Sequence, residues 1–381
     1  MKKIYPYIIV LCTLLAACRG DLPLMYSEGE VVDPEPSLCE EIKGMYLLNE
    51  GNMGSNKCTL DYYDCTRGTY HRNIYAERNP EIVKELGDVG NDIAVYGDYL
   101  FVVVNCSHMV EVMDARTARH IASLSIINCR YIAFCGDKAY VSSYAGPVQV
   151  DPLARPGKVV EINLKDMTLG REVTVGYQPE EMVVHEGKLY VANSGGYRFP
   201  NYDRTVSVVD IESLQVVNTI DVAINLHRME IDRWGRIYVS SRGDYDGRES
   251  NIYVIDTATQ KVSGRLDISA SEMTMCGDSI YMVSTEWNNA TSANTVGYAI
   301  YDVKRQKVVS RCFISDGTDK EIKLPYGVAV NPESKEIYVT DATNYVTPGY
   351  LYCFTPEGKK KWKVRTGDIP GHMAFTRKIL R

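Results

Sequence analysis

The sequence predicts an all-β fold: a seven-bladed β-propeller closed by the C-terminal strand joining the N-terminal blade. Two observations carry that prediction. A fourteen-residue phrase recurs six times, and each copy is followed by two further strand-like segments. The material left over at the two ends adds up to one more blade. A repeat of roughly 40 to 50 residues with four strands per unit is what a propeller blade requires.

The clearest copy of the phrase is EMVVHEGKLYVANS, residues 181–194. It reads as a short apolar strand, a tight turn at Glu186-Gly187-Lys188, and a second strand ending in small polar residues. Other copies begin at Asp92, Tyr131, Arg228, Glu272 and Gly327. Their aromatic anchors are Phe101, Tyr140, Tyr190, Tyr238, Tyr281 and Tyr338, spaced 39 to 57 residues apart. The outer strands alternate and are rich in β-branched residues, as in TVSVVD (205–210) and QVVNTIDV (215–222). At the front, GMYLLNE (44–50), TLDYYD (59–64) and TYHRNIY (69–75) make a blade without an innermost strand. At the tail, GHMAF (371–375) is an innermost strand without a blade. Joining them removes the open edge.

Ahead of the blades, Met1-Lys2-Lys3, an apolar run from Ile4 to Leu15, and Leu15-Ala16-Ala17-Cys18 read as a secretory signal. The cysteine after Leu-Ala-Ala resembles a bacterial lipobox. That resemblance implies a signal peptide over residues 1–17 and a lipid on Cys18; in an ordinary secretory signal Cys18 is incidental. Arg19 takes the place of the aspartate that retains such lipoproteins in the inner membrane, so the outer membrane is the expected location. Residues 18–43 carry Pro23, Pro34 and Pro36 among acidic residues and read as an extended, solvated tether. The propeller is expected over 44–381.

The net charge of −7 falls to −9 without Lys2 and Lys3, and no basic stripe is present. A nucleic-acid partner is therefore not expected. Of eleven cysteines, nine remain after Cys12 and Cys18. The odd number leaves at least one thiol free or paired outside the chain. Cys106 and Cys129, on loops at one face of neighbouring blades, are the pair placed to form a disulfide. Cys312 and Cys353 fall in strand patterns and read as small buried residues.

The phrases LYVANSGG and IYVTDAT resemble the YVTN and YncE-like propellers. With the lipobox, the tether and LLNEGNMGSNKCTLDYYD, the chain looks more particularly like the BtuG-type surface lipoproteins. That resemblance implies cobalamin (vitamin B12) as a ligand rather than a cofactor, and a TonB-dependent outer-membrane transporter as partner. The binding face is expected where the longer loops lie. Tyr197, Phe199, Tyr202, Trp287 and Tyr345 would supply rings, with Asn52, Arg242, Asp244 and Asn288 bonding the polar fringe; rings for area and polar groups for orientation suit a large flat ligand. His108 and His227 are placed to reach cobalt, ranked below ring packing. No catalytic residue is singled out.

Two other functions stay open. One is an extracellular lactonase or lyase, for which Glu50, Asn105, Asn193 and Asp341 would supply oxygen ligands to a central cation, as in gluconolactonase-like propellers. The other is a protein-binding surface scaffold.

Overall fold

A computed structural model describes residues 27–82, 85–288 and 293–381. The signal segment, the lipobox and Cys18 lie outside the described residues. Seven antiparallel sheets form a ring, and the innermost strand of each packs beside that of the next. Blades 2 to 7 span 90–125, 129–174, 179–221, 226–265, 272–310 and 325–368. Blade 1 combines Gly44–Asn49, Thr59–Asp64 and Thr69–Arg72 with the innermost strand Pro370–Thr376, contributed by the C-terminus.

The core follows from the repeated phrase. In each second strand the aromatic anchor sits opposite the same place on the innermost strand, as Tyr190 faces Val183 and Tyr238 faces Glu230. Tyr46 is the seventh member, opposite Ala374. Six of the seven anchors are fully buried between blades, and Tyr281 is partly so. Innermost strands crowd where they converge: a Cβ on Gly327 would stand 2.2 Å from the Gly371 carbonyl, so no side chain fits there.

Residues 28–43, expected within the tether, belong to the folded ring. Glu28–Val31 pairs with Thr69–Arg72 as a fifth strand of blade 1. Residues 32–42 then lie against the ring, where Val32 and Ile42 join the core between blades 1 and 7. Lys361 bridges Asp33 at 2.8 Å and Glu336 at 2.6 Å. The acidic residues that suggest solvation are thus partly consumed as acceptors, and the folded unit includes residues 28–43 ahead of the expected start at 44. Three smaller differences concern two strands and a cysteine pair. The third segment of blade 1 stops at Arg72, where Asn73 turns left-handed (φ 49°) into a short helix, Ile74–Arg78. The outer strand of blade 6 ends at Ser310, leaving Cys312 exposed. Cys106 and Cys129 are both free thiols; Cys129 Sγ lies 3.3 Å from the Met109 carbonyl and Cys106 Sγ 3.4 Å from Asn105 Oδ1.

Candidate functional site

Turns inside the repeated phrases stand on one face, and their tips are open. A Cβ at Gly97, Gly136, Gly187 or Gly277 would meet nothing within 4 Å, and each glycine has the positive φ its turn needs. The opposite face, here the mouth, carries the longer loops and the starts of the innermost strands. A cleft of about 760 Å³ opens there between blades 5 and 6, extending toward Tyr326 of blade 7.

The floor is a network of buried charge. The first residues of the innermost strands, Arg130, Glu180, His227, Arg228 and Glu272, meet across three blade boundaries. Arg130 donates Nε and Nη2 to Glu180 Oε2 at 3.1 and 3.0 Å. Glu180 Oε1 accepts the Tyr144 hydroxyl at 2.6 Å and a long 3.5 Å contact from Arg242 Nη1. Burial alone would push the Glu180 carboxyl up, but Arg130 and Arg242 hold it below the ordinary carboxylate range. Arg228 Nη2 meets Glu272 Oε2 at 2.5 Å and its guanidinium lies over the Tyr131 ring. Burial, opposed by Arg228 and reinforced by Glu181, pushes Glu272 up to about 8.

His227 is buried, and its Nε2 lies 2.9 Å from the Tyr131 hydroxyl. Burial and then the guanidiniums of Arg242, Arg228 and Arg130 hold its pKa well below the usual histidine value, so the ring is neutral near pH 7. Among the described residues its Nδ1 is a buried nitrogen without a hydrogen-bond partner, as is Nε of Arg228; Oε1 of Glu286 is a buried oxygen in the same state. On the far side, Glu50 holds the His372 imidazole at 3.1 Å and the Tyr326 hydroxyl at 3.0 Å. Deeper on the innermost strands, Asp92, Glu181 and Glu230 each accept a backbone N–H from the following blade, at Ile132, Met229 and Met275. Burial pushes Asp92 up to about 7 and Glu230 to about 8.

The residues expected to bind ligand all fall on the mouth but do not form one pocket. Arg242 and Trp287 line the cleft. Tyr345 stands beside it, its ring edge-on to Tyr326 at 5.7 Å. Tyr197, Phe199 and Tyr202 belong to a neighbouring loop of blade 4. Tyr197 packs edge-on to Tyr144, and Phe199 edge-on to Tyr202. That loop reaches the cleft's edge, since a Cβ at Gly196 would lie 3.9 Å from Arg242 Nη1. Asn52, half-buried, sits in the blade 1 loop, where its carbonyl accepts the Ser55 amide. Asp244 is engaged by its own loop: Oδ1 accepts the amides of Asp246 and Arg248 at 3.0 and 2.8 Å. Trp287 and Asn288 are not loop residues. They end a ten-residue strand, Ser279–Asn288, paired with Ala293–Asp302 in an arm that projects over the mouth, with Trp287 opposite Asn294. The side chain of Asn288 lies outside the described residues.

The residues considered as oxygen ligands for a central cation make separate hydrogen bonds. Asn105 donates to Cys129 O, Asn193 donates to Thr205 and Ser207, and Asp341 accepts from the amides of Lys323, Leu324 and Thr343. Among the described residues no group of three or more His, Cys, Asp or Glu is placed to hold a metal ion. His108 is occupied too, its Nδ1 within 3.0 Å of the Asn105 carbonyl.

The ring of blades and its polar mouth define a seven-bladed β-propeller. The chain belongs to the family described as a domain of unknown function, DUF5074, whose pattern matches residues 43–366. No curated protein matches it. Among solved structures it is similar to a quinonprotein alcohol dehydrogenase-like protein from Bacteroides thetaiotaomicron: TM-score 0.59, 16% identity, 87% of this chain and 78% of that one. It is also similar to the hydrazine synthase of Kuenenia stuttgartiensis (TM-score 0.58, 18% identity, 70% and 77% covered). A third is a functionally unknown protein from Desulfotomaculum acetoxidans (TM-score 0.55, 11% identity, 77% and 91% covered). At these identities the likeness is one of fold.

Proposed function

We propose that this chain is a lipid-anchored binding protein of the outer-membrane surface. It captures a small-molecule nutrient in the mouth of its propeller, a corrinoid by its resemblance to BtuG-type lipoproteins, and passes it to a TonB-dependent transporter. One observation carries the binding reading: large rings stand exposed around a polar cleft on one face. Trp287 is 56% exposed, Tyr245 62% and Phe199 54%, and the first two line the cleft itself. Exposed rings beside a concave polar floor offer area and orientation to a flat ligand with a polar fringe. The lipobox at Leu15 to Cys18 supports the anchor.

Calorimetric titration with cyanocobalamin tests the reading. The parent protein is expected to bind. Trp287→Ala should weaken binding about thirtyfold, the effect of losing a ring anchor worth roughly 2 kcal/mol. Lys188→Ala, in a turn on the opposite face, should leave it unchanged. Absence of binding by the parent rejects the corrinoid; equal affinities in all three reject this face.

A lyase is the second reading, favoured by the neutral His227 beside the Tyr131 hydroxyl. A neutral imidazole within reach of guanidiniums can take a proton next to a carboxylate. Turnover of an acidic substrate, followed by absorbance of the new double bond and lost in His227→Gln, would establish it.

A further inference from the structure

We propose that the floor of this cleft binds an oxyanion, a carboxylate or phosphate carried by the captured molecule, through Arg242, Arg228 and His227. The proposal rests on the binding reading for its setting and on the geometry of the floor for its chemistry.

Donors there outnumber the acceptors they meet. Glu180 is shared by two guanidiniums, and Arg130 takes the close two-nitrogen contact. Among the described residues, Arg242 is left with a single side-chain hydrogen bond, at 3.5 Å. Arg228 is 6% exposed and spends Nη2 on Glu272, leaving Nε buried with no partner among those residues. His227 is 7% exposed, and its Nδ1 is also unpartnered. When Nε2 accepts the Tyr131 hydroxyl, Nδ1 carries the proton and donates. All three residues line the same cleft. Guanidinium nitrogens only donate, so an incoming group must accept. A carboxylate or phosphate offers several lone pairs and a charge, where an amide carbonyl offers two lone pairs and none.

The charge balance points the same way. Three guanidiniums face Glu180 and Glu272, with Glu181 and Asp92 also acting on Arg228, and burial raises Glu272, Glu181 and Asp92 toward their uncharged forms. An arriving anion neutralises a floor that is short of negative charge. Glu286, on the same wall, has a buried Oε1 with no partner. It would accept a hydroxyl or N–H adjacent to the acid, so the fitting ligand carries an oxyanion flanked by a donor.

The test uses the whole chain in detergent, with its six histidines labelled with ¹⁵N and the His227 signal assigned by comparison with His227→Gln. Sodium phosphate, sodium acetate and sodium chloride are titrated separately. A saturable shift of the His227 imidazole with phosphate or acetate, and none with chloride, is expected. The stronger response separates a phosphate source from a carboxylate source. Arg242→Gln should weaken that response about tenfold, the usual scale for a hydrogen bond to a charged group, and Lys188→Gln should leave it unchanged. If Arg242→Gln does not fold, Arg242→Lys keeps the charge, loses the two-pronged donor, and serves the same comparison. Identical responses to all three salts, or an Arg242 variant that responds as the parent does, overturn the proposal. No corrinoid enters this titration, so its failure and a failure to bind cyanocobalamin are separate results.

Discussion

One oxygen of Glu180 receives two nitrogens of Arg130 across the boundary between blades 3 and 4, while its other oxygen receives the Tyr144 hydroxyl. Glu180 is fully buried, so removing its charge strands Arg130 in the interior. Glu180→Gln is expected to cost about 3–5 kcal/mol of unfolding free energy, as for other broken buried pairs. Urea denaturation of parent and variant measures it. Because the folded pKa is depressed, this contribution is present above the ordinary glutamate range and is lost as pH falls through the folded value. The difference between parent and Glu180→Gln should therefore shrink in acid.

Three other buried carboxyls act in the opposite sense. Glu230 and Glu272 are pushed up to about 8 and Asp92 to about 7, so the folded chain holds protons that the unfolded chain has released. Their effect on stability is favourable near and below the ordinary carboxylate range, about 4, and is lost as pH rises through 7 and 8. The melting temperature should fall between weakly acidic and weakly basic pH. Glu230→Gln should flatten that fall, and an unchanged slope would show that Glu230 ionises normally.

Ring closure depends on a strand of seven residues. Pro370–Thr376 pairs with Gly44–Asn49 and lies beside the innermost strands of blades 2 and 7. Deleting residues 370 to 381 should lower the melting temperature of the whole ring as a single transition. A truncated chain that melts at the parental temperature would contradict this closure.

The proposed lipid anchor is tested apart from the fold. Cys18→Ala should move the protein from the detergent phase to the aqueous phase while its melting curve stays the same. Lipoproteins carry more than one chain, and a single acyl chain holds only weakly, so the contrast should be sharp. Equal partitioning of mutant and parent would exclude Cys18 as the anchor.

The architecture was legible because one apolar phrase repeats and both ends contribute incomplete pieces. Tyr46, the seventh anchor, could have been found by aligning GMYLLN to the second strands. The strand at Glu28–Val31 was hidden by its acidic residues and the nearby prolines; pairing with Thr69–Arg72, not composition, gives it structure. The rim of the site was largely legible, since Trp287, Arg242 and Tyr345 stand in or beside the cleft. Most of its floor was not. Arg130, Glu180 and Arg228 sit where a strand begins, and alternation there reads as ordinary solvent-facing polarity. A signal did exist. Two residues before the one that faces the aromatic anchor on each innermost strand, the sequence shows His372, Asp92, Tyr131, Glu181, Arg228, Glu272 and Gly327. Residues so different at one fixed place in a repeat mark positions freed from the repeat's own packing, around the axis where all blades meet.

The first blade begins with residues made early and is finished by residues made much later. As the chain is synthesised and emerges, Gly44–Asn49 waits through more than three hundred residues for its partner. Until Pro370 arrives, that edge presents unpaired amides and carbonyls to any neighbouring strand. A stop codon just before Pro370 would make the exposure permanent, so a chain that lacks the strand Pro370–Thr376 should aggregate out of proportion to that strand's length.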